Sequence, residues 1–235
     1  MTKTNDSRTP RWRGKRTKQY SQGFTLVELL TVMAIMALMT GAAVSAVSAI
    51  KDAGGVTKAA SDIAGTLDQA RSYAMANNTY AFVGLAERDG MDPSKNGNGQ
   101  VVVMVAGSKD GTRDFGGSGS NLRELTKVRR LDNLRLTDTL PNTGDLARPE
   151  VAETYRLGND SFAADDKFTA AGYEFTKIIQ FDPRGTASIP SGSKSIPQWM
   201  EIALVPARGA AVEGKGNCAA LVLDGVTGST KIYRP

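Results

Sequence analysis

The chain has no histidine and a single cysteine among 235 residues. Without histidine there is no Ser-His-Asp triad and no zinc site with His ligands. The lone Cys218 excludes an internal disulfide; it lies in the apolar run CAALVL and reads as a buried structural thiol. Excess positive charge is also missing from most of the chain. Residues 1–23 carry Lys3, Arg8, Arg11, Arg13, Lys15, Arg16 and Lys18 against Asp6, a net of +6. The whole chain is +5, so everything after Gly23 sums to −1. The basic balance therefore belongs to a leader and not to the folded part. A basic leader alone could be a nucleic-acid-binding tail, but an apolar run follows it at once. These absences point away from an enzyme.

That run is FTLVELLTVMAIMALMTGAAVSAVSAI, Phe24 to Ile50, 27 residues with one charge, Glu28. As a helix it would measure roughly 40 Å, enough to cross a bilayer. Lys and Arg flanking such a segment hold that flank in the cytoplasm. An ordinary secretory signal has a shorter apolar core, about 7–15 residues. Val44-Ser45-Ala46 nonetheless offers small residues to a conventional signal peptidase, which would leave a chain beginning at Val47. Glu28 costs roughly 3 kcal/mol at the centre of a membrane helix, and less near the headgroups. A cut between Gly23 and Phe24 would create an amine four positions before Glu28. Free α-amines titrate near about 8 and are mostly charged at neutral pH. The amine of one subunit pairing with Glu28 of the next would set the axial register of packed helices.

The run GFTLVELL, Gly23 through Leu30, with its basic leader and apolar continuation, resembles the class III signal of type IV pilins and type II secretion pseudopilins. The resemblance implies a cut after Gly23 by a prepilin peptidase, N-methylation of Phe24, and an assembly role for Glu28. It implies further partners: other pilin or pseudopilin subunits, an inner-membrane assembly platform, and membrane lipid before assembly. No cofactor or catalytic residue is implied. The implied location is the bacterial inner membrane as a single-pass protein with the C-terminal domain in the periplasm or outside, and then the pilus or pseudopilus. Two features depart from the family. The leader is long, and Ser45 stands where many major pilins carry a proline, with Gly41 as a place for the helix to loosen.

The helix is expected to continue past the apolar run. Val56, Ala60, Ile63, Leu67, Ala70 and Ala74 recur at steps of four and three, one apolar face of an amphipathic helix. Lys58, Asp62, Asp68 and Arg71 fall on other faces, and Gly54-Gly55 is a plausible bend. From Phe24 to about Asn77 the helix would be roughly 80 Å long. Beyond Asn78 the strand candidates are Tyr80–Ala86, Gln100–Ala106, one or two strands within Leu122–Thr139, Phe175–Phe181, Trp199–Val205, Cys218–Leu223 and Thr230–Tyr233. Asp160–Ala171 reads as an irregular surface section or a short helix. The fold class is α+β: a long N-terminal helix, membrane-spanning in its first half, packed on a mainly antiparallel sheet in a pilin-like domain. The divisions are 1–23, a cytoplasmic leader that is removed; 24–50, the membrane and filament-core helix; 51–78, its amphipathic continuation; and 79–235, an extracytoplasmic β-rich domain.

Within that domain LDQARSYAMANNTYAFVGL, IIQFDPRGTAS, WMEIALV and LVLDGVTGSTKIYRP resemble segments of the H-type minor pseudopilins and FimT-like minor pilins. Asp110 to Asp166 matches no pattern. Asp92, Ser94, Asn96 and Asn98 place oxygens at alternating positions like a calcium loop, but Val103 stands where the bidentate glutamate belongs, so a plain hydrophilic loop is the competing reading. Arg123, Lys127, Arg129, Arg130 and Arg135 form a possible partner surface. DNA is its rival occupant; Glu124, Asp132 and Asp138 and the lack of nearby aromatic stacking partners argue against that. The Asp110–Asn121 loop is expected to tolerate substitution.

Overall fold

The computed structural model describes residues 24–92, 94–116, 119–142, 144–158, 167–190, 196–208, 211–212 and 217–235, with side chains at these positions other than 42–54, 208 and 211–212. Two compact units divide between Ala46 and Val47. Helix α1 (Leu26–Asn77) contributes to both, with helical backbone through Gly54-Gly55. The strands that follow are β1 (Ala81–Asp89), β2 (Gly99–Ser108), β3 (Leu122–Glu124), β4 (Arg129–Thr137), β5 (Phe168–Ala170), β6 (Tyr173–Phe175), β7 (Lys177–Phe181), β8 (Ala187–Ser188), β9 (Trp199–Arg208), β10 (Ala211–Val212), β11 (Ala219–Asp224) and β12 (Thr230–Tyr233). The main sheet runs β12-β11-β9-β4-β2-β1-β7-β8 with antiparallel pairing throughout. The fold class is α+β with a mainly antiparallel sheet.

In the second unit α1 buries the stripe that its spacing implies. Val56, Ala60, Ile63, Leu67, Ala70 and Ala74 are all at most 1% exposed. They share one core with Val83, Val103, Leu134, Ile179, Ile202 and Leu221 of the sheet. The helix ends where Asn78 turns left-handed at φ 48°. Its N–H donates to Met75 O at 3.5 Å and that of Thr79 to Ala74 O at 3.1 Å, the paired closure in which asparagine can replace glycine. Arg71 lies off the stripe but is half-buried, and a Cβ at Gly228 would sit 3.0 Å from its Cδ. The arginine stem is therefore wedged against the turn before β12.

The opposite face of the sheet is covered as well. Phe82, Val102, Met104, Phe168, Phe175 and Ile178 form a second core, because β1 and β2 alternate between two buried faces. Gly84 lets this layer approach: a Cβ there would lie 2.8 Å from both Phe168 Cζ and Phe175 Cγ. This layer corrects three expectations. Residues 168–170 form strand β5, neither irregular nor helical, because Phe168 is drawn into the aromatic core; residues 159–166 lie outside the described set. The single strand expected over 175–181 is two, with β6 pairing β5 in a separate sheet and β7 joining β1. The 110–121 loop is no bare surface: Phe115 is buried, edge-on to Phe82 at 4.7 Å and to Phe168 at 5.8 Å.

The unmatched middle of the chain is fastened by charge. Arg148 meets Glu201 of β9 through Nε–Oε2 at 3.0 Å and Nη2–Oε1 at 2.8 Å, and the side chains are 3% and 2% exposed. Its Nη1 also donates to Pro141 O at 2.7 Å and Leu146 O at 3.3 Å. A planar guanidinium thus closes the 141–148 loop on itself while satisfying the buried carboxylate.

Candidate processing and assembly site

The site begins where helix α1 begins. Thr25 precedes Leu26 and caps it: its Oγ1 accepts from Glu28 N at 3.2 Å, and its carbonyl accepts from Leu29 N at 3.2 Å. Thr25-Leu26-Val27-Glu28 therefore has the T-x-x-E spacing of a capping box, with Glu28 in the first turn. Glu28 meets the cap through its backbone N–H, a local pairing that the four-residue spacing signals. Phe24 and Thr25 are not helical, and Phe24 is 80% exposed. Gly23 and the leader lie outside the described residues.

After the cap, the large apolar side chains of the helix are exposed, uncovered by any of the described residues. Leu26, Val27, Leu29, Leu30, Met33, Met36, Leu38 and Met39 are all more than half exposed. A helix apolar all round belongs in a nonaqueous setting, a bilayer or the core of an assembly. Among the described residues no helix is long and apolar enough to cross a membrane.

Residues 18–44 match the prokaryotic N-terminal methylation motif. They are a prepilin-type signal. No curated protein and no solved structure matches the chain. The prepilin-type signal thus marks the chain as type IV pilin-like, while its match ends before the sheet domain. It spans Thr25 and Glu28, so the capped helix start described above falls inside the signal.

The basic section is split between two faces of the sheet. Arg123 donates to the Tyr73 hydroxyl and Arg129 faces Asp62 at 3.4 Å, both on the side of α1. Arg130 instead lies 5.7 Å from the centre of the Tyr173 ring in the opposite layer, beside Arg88 at 5.0 Å. Lys127 is exposed and Arg135 half-buried. The five residues therefore do not form one basic stripe.

The calcium-like loop already engages the side chains of Asp92, Ser94 and Asn96. Asp92 accepts from Ser94 Oγ at 2.5 Å and pairs with Lys95 at 2.9 Å, and Asn96 Oδ1 accepts from Arg88 at 2.6 Å. The bond from Ser94, followed by that from Lys95, holds the Asp92 carboxyl below its usual range. Ser94 turns its hydroxyl to Asp92, and Asn98 contributes its carbonyl to Gly90 N at 3.0 Å. Among the described residues no three His, Cys, Asp or Glu are placed to hold a metal ion. Cys218 is buried beside Leu146 and Val205; burial pushes its thiol up, against the opposing pull of Arg148. A raised thiol is a poor nucleophile.

Proposed function

We propose that the chain is a minor pilin or pseudopilin, a structural subunit of a type IV pilus or type II secretion pseudopilus and not an enzyme. The observation that carries this reading is the capped helix start, its large apolar side chains exposed, inside a prepilin-type signal. Residues 1–23 form the cytoplasmic leader, 24–50 the membrane and then filament-core helix, 51–78 its amphipathic continuation, and 79–235 the domain outside. Prepilin peptidase cuts between Gly23 and Phe24, a bond just ahead of the helix cap, and methylates Phe24. The subunit waits in the inner membrane among lipids until the assembly platform moves it onto other subunits, with Glu28 pairing to a neighbour's amine.

N-terminal sequencing and intact mass of mature protein test the reading. The expected chain begins at N-methylated Phe24. A chain beginning at Val47 would discard Glu28 and the apolar helix, and would leave an exported, non-assembling envelope protein. The Arg123, Lys127, Arg129, Arg130 and Arg135 section is a surface for partner subunits in this reading, and Asp62 and Tyr73 already hold two of its cations. Salt-independent retention of the protein without nucleic acid is expected; steep salt-dependent binding to duplex DNA would instead assign the section to DNA uptake.

A further inference from the structure

We propose that the end of the sheet beside β7 and β8 is a carboxylate-binding site. A cavity of about 140 Å³ opens there, and its lining includes Tyr80, Arg113, Gln180, Asp182, Arg184 and Ser188. Gln180 is 2% exposed, and its Oε1 accepts from Arg113 Nε at 3.5 Å, a long and weak bond. With the oxygen turned to Arg113, the amide NH2 of this buried side chain has no acceptor among the described residues. The Tyr80 and Ser188 hydroxyls are likewise without an acceptor among those residues. Nor does any described carboxylate lie within ion-pair distance of Arg113.

Asp182 does not meet this demand, because its oxygens are already used. Oδ1 accepts from Arg184 N at 2.8 Å and Thr186 N at 2.9 Å, and Oδ2 accepts from Arg184 Nε and Nη2, each at 3.1 Å. The lining is left with donors in excess and, with two arginines against one aspartate, a net charge of +1. A single anion with two coplanar acceptors answers both needs, and a guanidinium fork matches a carboxylate in shape. The volume is below the ~300 Å³ at which drug-sized ligands begin. It suits a carboxylate on a short stem: a free small acid, or the Asp or Glu side chain of another protein chain. The site does not depend on filament assembly.

Full-length 15N-labelled protein in neutral detergent micelles provides the test, with Gln180→Glu identifying the side-chain amide signals of Gln180. The probes are acetate, free glutamate and a neutral peptide with one internal glutamate, with acetamide as the uncharged control. Saturable shifts of the Gln180 amide with the carboxylates and not with acetamide are expected. Arg113 is exposed, so Arg113→Gln should keep the thermal midpoint while weakening carboxylate binding by about tenfold or more. Ser188→Ala should weaken it less. Tighter binding of the peptide than of glutamate assigns the carboxylate to a protein partner, and the reverse order assigns it to a small acid. No saturable shift with any carboxylate, an equal response to acetamide, or unchanged affinity in Arg113→Gln overturns the proposal.

Discussion

Two stretches of the same helix contrast sharply. Between residues 24 and 39 the large apolar side chains are exposed on every side, whereas between 56 and 74 a single apolar stripe is buried and the remaining positions are mostly polar or small. The second stretch has its partner in the chain, a sheet that covers one face and no more. The first has none among the described residues. Burying eight or more side chains of this size is worth roughly 1.5–3 kcal/mol each. In the function proposed above, the membrane and then neighbouring subunits supply that burial. The second stretch encodes folding; the first, in the function proposed above, encodes assembly.

The contrast breaks most sharply at Glu28, where the proposed charge pairing can be separated from its place in the first helical turn. Glutamine keeps the N3 position of the capping box but removes the charge. Glu28→Gln is expected to remain membrane-inserted and helical, yet to lose most co-assembly, with Glu28→Ala losing it too. Crosslinking of neighbouring subunits in membranes and in filaments reads this directly. Wild-type co-assembly of Glu28→Gln would rule out the charge pairing proposed for Glu28.

The next largest effect compares two leucines. Leu67 is fully buried and Leu30 is 58% exposed. Leu67→Ala should cost about 2–5 kcal/mol, lowering the melting temperature of the 47–235 unit by roughly 5–15 °C. Leu30→Ala should leave it unchanged within the ~0.5 kcal/mol of an ordinary surface substitution. Equal shifts for the two variants, by calorimetry of full-length protein in detergent, would erase the distinction between the stretches.

A smaller effect probes the face of the sheet that the helix does not reach. Gly84→Ala puts a methyl where Phe168 and Phe175 already sit. Overpacking of this kind costs about 1–3 kcal/mol. The melting transition should move by a few degrees while the near-ultraviolet signal of the aromatic layer changes shape. An unaltered melt would mean that the phenylalanines can withdraw freely.

How much of this was legible follows from what each pattern depends on. The stripe from Val56 to Ala74 is a local period, so spacing alone places it, and the prepilin-type signal is compact enough to read by eye. The strands AFVGLA and VVVMVA were legible as strands, but their lack of alternation carried a further message. An unbroken apolar strand in an antiparallel sheet has both faces covered. The 110–121 loop and the β5–β6 hairpin supply that second cover from distant parts of the chain, and no local period announces it. Arg148 and Glu201 are 53 positions apart, and only the fold shows that they meet. The basic section divides because neighbours in sequence on a strand point to opposite faces, so Arg129 and Arg130 part company.

The smallest effect belongs to the loop that joins these layers. Asp110 Oδ1 accepts from Asn121 Nδ2 at 2.7 Å, Thr112 N at 2.9 Å, Thr112 Oγ1 at 2.8 Å and Ser108 Oγ at 2.9 Å. These bonds, that from Asn121 foremost, hold its carboxyl well below the usual range. A depressed folded value stabilises the fold above the unfolded pKa of about 3.9 and is lost as pH falls toward the folded one. Asp110→Asn should therefore melt slightly below wild type from pH 7 down to about 4, and the gap should close as the pH drops further. Because the side chain lies at the surface, the gap should be small, and smaller still in high salt. The neighbouring Phe115 should keep its buried environment in both proteins, since its contacts are with Phe82 and Phe168 and not with the aspartate. A gap that widens in acid would show that Asp110 is destabilising as a charge, and that Phe115 alone, not the aspartate hub, pins the loop to the sheet.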